Sequence, residues 1–276
     1  MPQHPQHSRS YAEVIGDPIA HSKSPLIHRF WLEHLGLDAD YRALQVPAEE
    51  LAGYFAARRE DPDWRGCNIT LPHKVMALQH VADPGGVKDT IGAINTAFRG
   101  EDAKVVGTNT DAAGFYAPLA EADLRGKSVA VVGSGGAARA ILYALARMEV
   151  ETVTLLARDA LGGAGLLHRF GLKGEVKPLA APVPLVALLV NASTLGMEGA
   201  PPLELDLSRL PDDAIVYDIV YAPLETTLLA AARKRELVTI DGLEMLIAQA
   251  AVGFELFFGS APPRQHDAEL RARLAA

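Results

Sequence analysis

Hydroxyl and amide side chains gather in a few short polar stretches of an otherwise apolar chain. Ser22 and Ser24 fall in the loop after a first strand. Asn68 and Thr70 lie near the end of another, with Lys74 one helical turn further on, and Asn95 and Asp111 come from a hairpin and the segment after it. Such groups donate and accept hydrogen bonds and suit a polyhydroxylated ligand. Lys74 is the candidate acid or base, because a lysine ammonium carries a proton to give at neutral pH. In the reverse direction it must first lose that proton, which predicts a rate rising toward alkaline pH. Position alone favours a plainer reading of Lys74 as a solvated lysine on a helix surface.

A second constellation is Gly133-Ser134-Gly135-Gly136-Ala137-Ala138, preceded by the apolar run Val129 to Val132 and followed by an apolar-periodic helix through Ile141, Leu142, Leu145 and Met148. Strand, glycine turn and helix start are the parts of a dinucleotide-binding βαβ unit. Gly133 permits the turn, Gly135 lets backbone approach a pyrophosphate, and small Ala138 lets helix and strand pack. The helix N-terminus offers unpaired N–H groups to the phosphates. Single glycine patterns of this kind identify a cofactor class and leave the substrate open.

The elements that must position these residues alternate between strand and helix. Tyr11–Ile15 reads as a strand, and Pro25 opens a helix for which Ser24 is a suitable N-cap. Tyr41–Val46 reads as a second strand and Gly66–Pro72 as a strand running into a turn, with Glu49–Glu60 as a helix and Lys74–Val81 as another. That rhythm argues for a mostly parallel sheet with helices on it. Gly92–Phe98 and Lys104–Thr108 then flank a hairpin loop, and Asp111 is placed to cap the helical run that follows. The change of pattern puts a domain boundary near residue 110. Beyond it come strands at Val129–Val132, Glu151–Ala157, Glu175–Lys177, Leu185–Val190, Ala214–Val220 and Leu237–Ile240, with helices at Ala160–Phe170 and Leu224–Glu236. About six strands suit a Rossmann sheet. A long apolar-faced helix follows Gly242, and Pro262-Pro263 separates it from a short polar helix.

The 276 residues suffice for one large or two ordinary domains, and 49% hydrophobic with 22% charged residues is ordinary for a soluble enzyme. The net charge of −8 with no basic block argues against nucleic acid or an anionic membrane as partner. Cys67, a single cysteine in an apolar strand, excludes an internal disulfide and reads as an inert core thiol. Met1–Ser10 lacks an apolar core and reads as a disordered leader rather than a signal peptide, and no apolar run reaches membrane-spanning length. The expectation is a cytoplasmic protein. His21, His28, His34 and His73 are not spaced as a metal cluster, so no metal is expected, and His73 reads as positional.

Several separated motifs together resemble the shikimate dehydrogenase family, from about Tyr11 to Gly259. They are Ser22-Lys23-Ser24-Pro25, Asn68-Ile69-Thr70-Leu71-Pro72-His73-Lys74, Gly92-Ala93-Ile94-Asn95-Thr96 and Asn109-Thr110-Asp111-Ala112-Ala113-Gly114. They continue through the glycine loop to Asn191-Ala192-Ser193-Thr194-Leu195-Gly196-Met197, Tyr217-Asp218-Ile219-Val220-Tyr221 and Asp241-Gly242-Leu243-Glu244-Met245-Leu246-Ile247-Ala248-Gln249-Ala250. The resemblance implies reversible, NADPH-dependent reduction of 3-dehydroshikimate to shikimate in aromatic amino-acid biosynthesis. It implies Lys74 and Asp111 as catalytic pair, and Ser22, Ser24, Thr70, Asn95, Tyr221 and Gln249 as holders of shikimate. Asn68 is a motif position with a less direct contact. Gly133, Gly135, Gly136 and Ala137 match the pyrophosphate loop, and Thr194, Met197, Ile219 and Gly242 the nicotinamide side. The implied fold is α/β with two domains. A substrate domain spans 10–110 and is completed by helices at 243–276, and a Rossmann domain spans 111–242.

One stretch departs from the family pattern. NADP-dependent members usually read Asn-Arg-Thr after the second Rossmann strand, with another basic residue three positions later. This chain reads Ala157-Arg158-Asp159-Ala160-Leu161-Gly162. Arg158 suits a 2′-phosphate, whereas Asp159 would repel one and could hold a ribose hydroxyl as in NAD sites. The reading is NADP, with NAD open. The alternatives are an NAD-dependent quinate/shikimate dehydrogenase and a catalytically silent dinucleotide-binding regulator. The expected partner is a small molecule, and the expected assembly a monomer or homodimer.

Overall fold

The structure, a computed structural model, describes residues 9–275. The expected leader therefore lies outside the described residues except for its last two positions, and Ser10 already belongs to a strand. By its internal contacts the chain divides into two units. One runs up to Thr110 and takes in Ala250 onward; the other is Asp111–Gln249.

In the first unit, β1 (Ser10–Gly16) is buried along nearly its whole length and lies between β2 (Ala39–Gln45) and β3 (Trp64–Ile69), both parallel to it. Between them run α1 (Ser24–Leu35) and α2 (Leu51–Glu60), and the short α3 (Val87–Thr90) follows β3. Strands β4 (Thr96–Arg99) and β5 (Val105–Thr108) then add an antiparallel hairpin at one edge, giving the order β2-β1-β3-β4-β5. Helix α1 carries Pro25 in its first turn and buries Ile27, Phe30 and Trp31. Each such side chain, when fully buried, contributes about 1.5–3 kcal/mol.

The stretch from Lys74 to Val81 is not the α-helix its pattern suggests. It is a turn followed by a 3₁₀ helix, Met76–His80. The Lys74 carbonyl accepts from Ile94 N–H at 2.8 Å, outside the local coil. Leu78 N–H turns back three residues to Val75 instead, and the coil tightens.

The second unit opens with α4 (Asp111–Tyr116). Its further elements are β6 (Ser128–Val132), α5 (Gly136–Arg147), β7 (Thr152–Leu156), α6 (Ala160–Arg169), β8 (Gly174–Lys177), β9 (Leu188–Asn191), β10 (Ile215–Asp218), α7 (Thr227–Lys234) and β11 (Val238–Ile240). Strand and helix alternate, except that β8, β9 and β10 follow one another with no helix between them. The strands, all parallel, are ordered β11-β10-β9-β6-β7-β8, the doubly wound arrangement with its switch between β6 and β9. The central strands read as continuous apolar runs because both faces are covered. Val129, Val131, Leu188 and Val190 pack with Ile141, Leu142 and Leu145 of α5. Ala130, Val132, Leu189 and Val216 pack on the other face with Leu228 and Leu229 of α7.

Helix α7 starts later than its apolar pattern does, because the Thr226 side chain caps it by accepting from Leu229 N–H. Helix α8 (Gly242–Phe258) belongs to both units. Its first two turns, with Met245 in the core of the second unit, lie on that side of the division, and the remainder belongs to the first. The sequence expectation placed the whole helix with the substrate domain. After Pro262-Pro263 a 3₁₀ turn, Arg264–His266, leads into α9 (Asp267–Ala275).

Candidate active site

The polar residues of the first unit collect where β1 and β3 end. Thr70 N–H donates to the Ile15 carbonyl at 2.9 Å, and Asp17 N–H to Leu71 at 3.0 Å, so the two loops leave the sheet side by side. Ser24 is the first residue of α1 rather than its cap. Its own N–H donates to Ser22 Oγ at 3.3 Å, so Ser22 supplies the oxygen at this helix start. The half-exposed Lys74 is fixed through its carbonyl to Ile94, beside Asn95, whose carbonyl in turn accepts from Ile69 N–H at 2.7 Å. Asn68, Thr70, Lys74 and Asn95 are thus held on one set of backbone bonds. His73 is fully buried, with Nε2 2.6 Å from the Val46 carbonyl. It donates there and anchors the lysine loop, the positional part the sequence suggested.

Behind these residues runs a buried chain of polar side chains. Tyr41 donates its hydroxyl to Asn68 Oδ1 at 2.6 Å, and Asn68 Nδ2 donates to Thr96 Oγ1 at 3.1 Å. Thr96 donates to Asn95 Oδ1 at 3.2 Å, and Asn95 Nδ2 donates to Thr110 Oγ1 at 2.8 Å. Thr110 N–H closes the chain on Asn95 Oδ1 at 2.7 Å. His28 stacks on Tyr41 with ring centroids 3.9 Å apart and 1° between planes. Buried amides satisfied at both ends hold one orientation, since any rotation leaves a desolvated group unpaired.

In the second unit the glycine loop joins β6 to α5. Gly133 adopts φ 102°, a left-handed value, and a Cβ there would meet the Ala192 carbonyl oxygen at 3.0 Å. Gly135 forms the exposed N-cap of α5, with open space beside it, and Gly136 and Ala137 form the first helical turn. A pyrophosphate fits that cradle: free backbone approach, a helix of 12 residues behind it, and no acidic residue in its first turn.

Arg158 and Asp159 follow β7, both exposed, and their roles separate. Asp159 is the N-cap of α6, and its Oδ1 accepts from Gly162 N–H at 2.9 Å. Its carboxylate is directed back over the helix start and is held there. Arg158 carries the remaining charge at this strand end.

A second polar cluster ties the loops after β9 and β10. Asn191 Nδ2 donates to Asp218 Oδ1 and to the Leu195 carbonyl, both at 2.9 Å, while Asn191 Oδ1 accepts from the Ser193 hydroxyl at 2.7 Å. Asp218 also accepts from Val220 N–H at 3.0 Å and from the Thr226 hydroxyl at 2.7 Å. Burial pushes the Asp218 carboxyl above its usual range, against these three donors. Thr194 and Met197 are exposed on the first of these loops, and Ile219 and Tyr221 are half-buried on the second. Gly242 packs against that second loop: a Cβ there would meet the Ile219 carbonyl oxygen at 2.4 Å, so its glycine is required by backbone approach. Asp111 is the buried first residue of α4, inside the helix rather than capping it, and Gln249 is buried on α8 with Nε2 donating to Leu246.

Sequence reasoning gave no role to Tyr41, His28, Thr96, Thr110, Asp218 or Thr226. Tyr41 stood only as the start of a strand and His28 only among the scattered histidines, and the partner across the sheet reveals what the tyrosine hydroxyl does. Thr96, Thr110 and Asp218 stood inside quoted motifs and were the available signal.

A doubly wound sheet with a glycine cradle, joined in one chain to a smaller α/β unit with a hydroxyl- and amide-lined strand end, defines a dinucleotide-dependent oxidoreductase. The family model described as the shikimate dehydrogenase substrate binding domain matches residues 14–97, and that of the shikimate 5'-dehydrogenase C-terminal domain matches 242–269. The chain is 62% identical over 273 residues to a shikimate dehydrogenase (NADP(+)) of Sphingopyxis alaskensis, covering 99% of each. The crystal structure of shikimate 5-dehydrogenase from Thermus thermophilus in complex with NADP(H) and shikimate superposes with a TM-score of 0.84 at 36% identity, over 96% of this chain and 99% of that one. Ligand-free 5-ketofructose reductase of a Gluconobacter strain superposes with a TM-score of 0.86 at 29% identity, over 97% of this chain and 99% of that one. Fold alone therefore does not name the substrate; sequence identity separates the two. The chain belongs to the shikimate dehydrogenase family.

Proposed function

We propose that the chain is an NADP-dependent shikimate dehydrogenase that reversibly reduces 3-dehydroshikimate to shikimate. The observation that carries this reading is its 62% identity, over nearly all of both chains, to a relative of that name. When bound, the nicotinamide supplies or accepts the hydride. The chain's own residues do the rest. The α5 N-terminus and the Gly133–Ala137 loop hold the pyrophosphate, and Arg158 pairs with the 2′-phosphate. Thr194, Met197, Ile219 and Gly242 line the nicotinamide side. Ser22, Ser24, Thr70, Asn95, Tyr221 and Gln249 hold hydroxyls and carboxylate of the substrate, and Asn68, engaged at both ends of its amide, positions them. Lys74 gives the carbonyl oxygen its proton in reduction and takes it back in oxidation, with Asp111 as its partner carboxylate.

The NAD-dependent alternative drew on Asp159 as a ribose ligand and on the missing second basic residue after Arg158. Its commitment to the α6 N-cap favours NADP, with Arg158 as the discriminating charge. Steady-state assays crossing shikimate and quinate with NADP and NAD test the proposal. The expected result is turnover best with shikimate and NADP. Preference for quinate with NAD, or no turnover with any combination, would overturn it.

A further inference from the structure

Helix α9 runs antiparallel along α1. Glu269 near its start faces His34 at the end of α1, the Arg273 guanidinium lies 4.9 Å over the Phe30 ring, and Lys23 donates to the Leu274 carbonyl. Where α1, the 3₁₀ turn Arg264–His266 and α9 meet, three lone-pair donors converge. Ligand atoms of His34, His266 and Glu269 all lie within 4.8 Å of one another. His34 Nε2 is 3.7 Å from Glu269 Oε2, and the two imidazole centroids are 4.5 Å apart.

Hydrogen bonding prepares two of the three atoms. His34 Nδ1 is 2.8 Å from the Phe30 carbonyl, which can only accept, so Nδ1 carries the proton and the neutral ring keeps its lone pair on Nε2. Glu269 Oε1 accepts from Arg273 at 2.7 Å, which orients the carboxylate and leaves Oε2 toward His34. Metal bonds to imidazole and carboxylate run about 2.0–2.2 Å, placing tetrahedral ligands roughly 3.4 Å apart. The His34–Glu269 spacing is already close to that, and His266 needs only a side-chain adjustment.

We propose that His34 Nε2, His266 and Glu269 Oε2 form a binding site for a late first-row divalent cation of the Zn²⁺ and Ni²⁺ class, with water completing its shell. Two imidazoles and one carboxylate favour such ions over Mg²⁺ or Ca²⁺. The site is structural: the cation fastens α9 to α1, the helix whose first residue is Ser24. The three ligands are distinct from the residues assigned to substrate and cofactor.

The test is calorimetric titration of the full chain with ZnCl₂ and, separately, MgCl₂, in a background carrying His4→Gln and His7→Gln. The expected result is one Zn²⁺ per chain, with affinity lowered about tenfold or more by His34→Gln, His266→Gln or Glu269→Gln and unaffected by the control His168→Gln. These are surface or half-exposed positions, and Trp31 and Trp64 fluorescence checks that each variant is folded. Bound Co²⁺ should show the intense visible bands of a four-coordinate site in the background protein and lose them in His34→Gln. Equal Zn²⁺ affinity across folded variants, a control that weakens binding as much, or a preference for Mg²⁺ would overturn the proposal. So would a simple His34–Glu269 ion pair, seen as no Zn²⁺ binding at all.

Discussion

Asp159 holds the backbone N–H of Gly162 at 2.9 Å, so the acidic residue after the second Rossmann strand caps a helix. If that is its task, Asp159→Asn keeps the cap, because asparagine serves as well there. NAD turnover should stay within about twofold of the parent, and NADP turnover should rise slightly as a negative charge beside Arg158 disappears. Loss of NAD turnover by tenfold or more, roughly a 1.4 kcal/mol effect, would restore Asp159 as a ribose ligand.

Arg158→Ala removes the charge proposed to meet the 2′-phosphate. Charge-assisted bonds of this type are worth about 1.5–3 kcal/mol, so KM for NADP should rise roughly ten- to hundredfold. KM for NAD should change little. Steady-state kinetics with both cofactors reads the difference directly, and parallel increases would count against the assignment.

Tyr41→Phe leaves Asn68 Oδ1 without its donor inside a buried network. An orphaned acceptor costs about 1–3 kcal/mol of stability. Both tryptophans, Trp31 and Trp64, are fully buried in the first unit, so their fluorescence in a urea titration should report the loss. KM for shikimate should rise while KM for NADP stays unchanged.

Lys74→Ala removes the proposed proton donor. General acid–base catalysis contributes about a hundred- to ten-thousandfold, and kcat should fall in that range. Equilibrium binding of shikimate should be largely kept. A near-normal kcat would transfer the role to another group.

His28 is fully buried against Tyr41, and burial pushes its pKa down to about 3. An unfolded histidine titrates near ~6.5. Between these values the unfolded chain binds the extra proton, so stability is complete above about pH 6.5 and falls as the pH drops toward 3, by about 1.4 kcal/mol per unit. His28→Phe, which keeps a ring on Tyr41, should flatten this slope. Urea midpoints at pH 7 and pH 5, followed by tryptophan fluorescence, should show the parent losing up to about 2 kcal/mol more than the variant.

Much of the architecture was legible because two-sided burial writes itself into sequence. The runs Val129–Val132 and Leu185–Val190 read as strands, the second starting three residues later in the structure, and the glycine loop falls between β6 and α5 as expected. What escaped was decided by partners distant in the chain. Lys74–Val81 has helical periodicity, but its first carbonyl accepts from Ile94, outside the local coil. Ser24 looked like a cap, yet Ser22 supplies the oxygen. Asp159 had two chemically sensible roles, and only the direction of its carboxylate separates them. Tyr41 carried no signal in the sequence because its hydroxyl acts across the sheet, on Asn68, rather than along its own strand.

Cys67, fully buried in β3, has its thiol pushed well above the ordinary range, chiefly by burial. With no other cysteine in the sequence, the folded protein behaves toward maleimides and other thiol reagents as though it had none. A cysteine introduced at Leu161, 88% exposed on α6, would then be the one addressable handle. A fluorophore could be attached there, on the helix that begins beside Arg158, without first removing a native thiol.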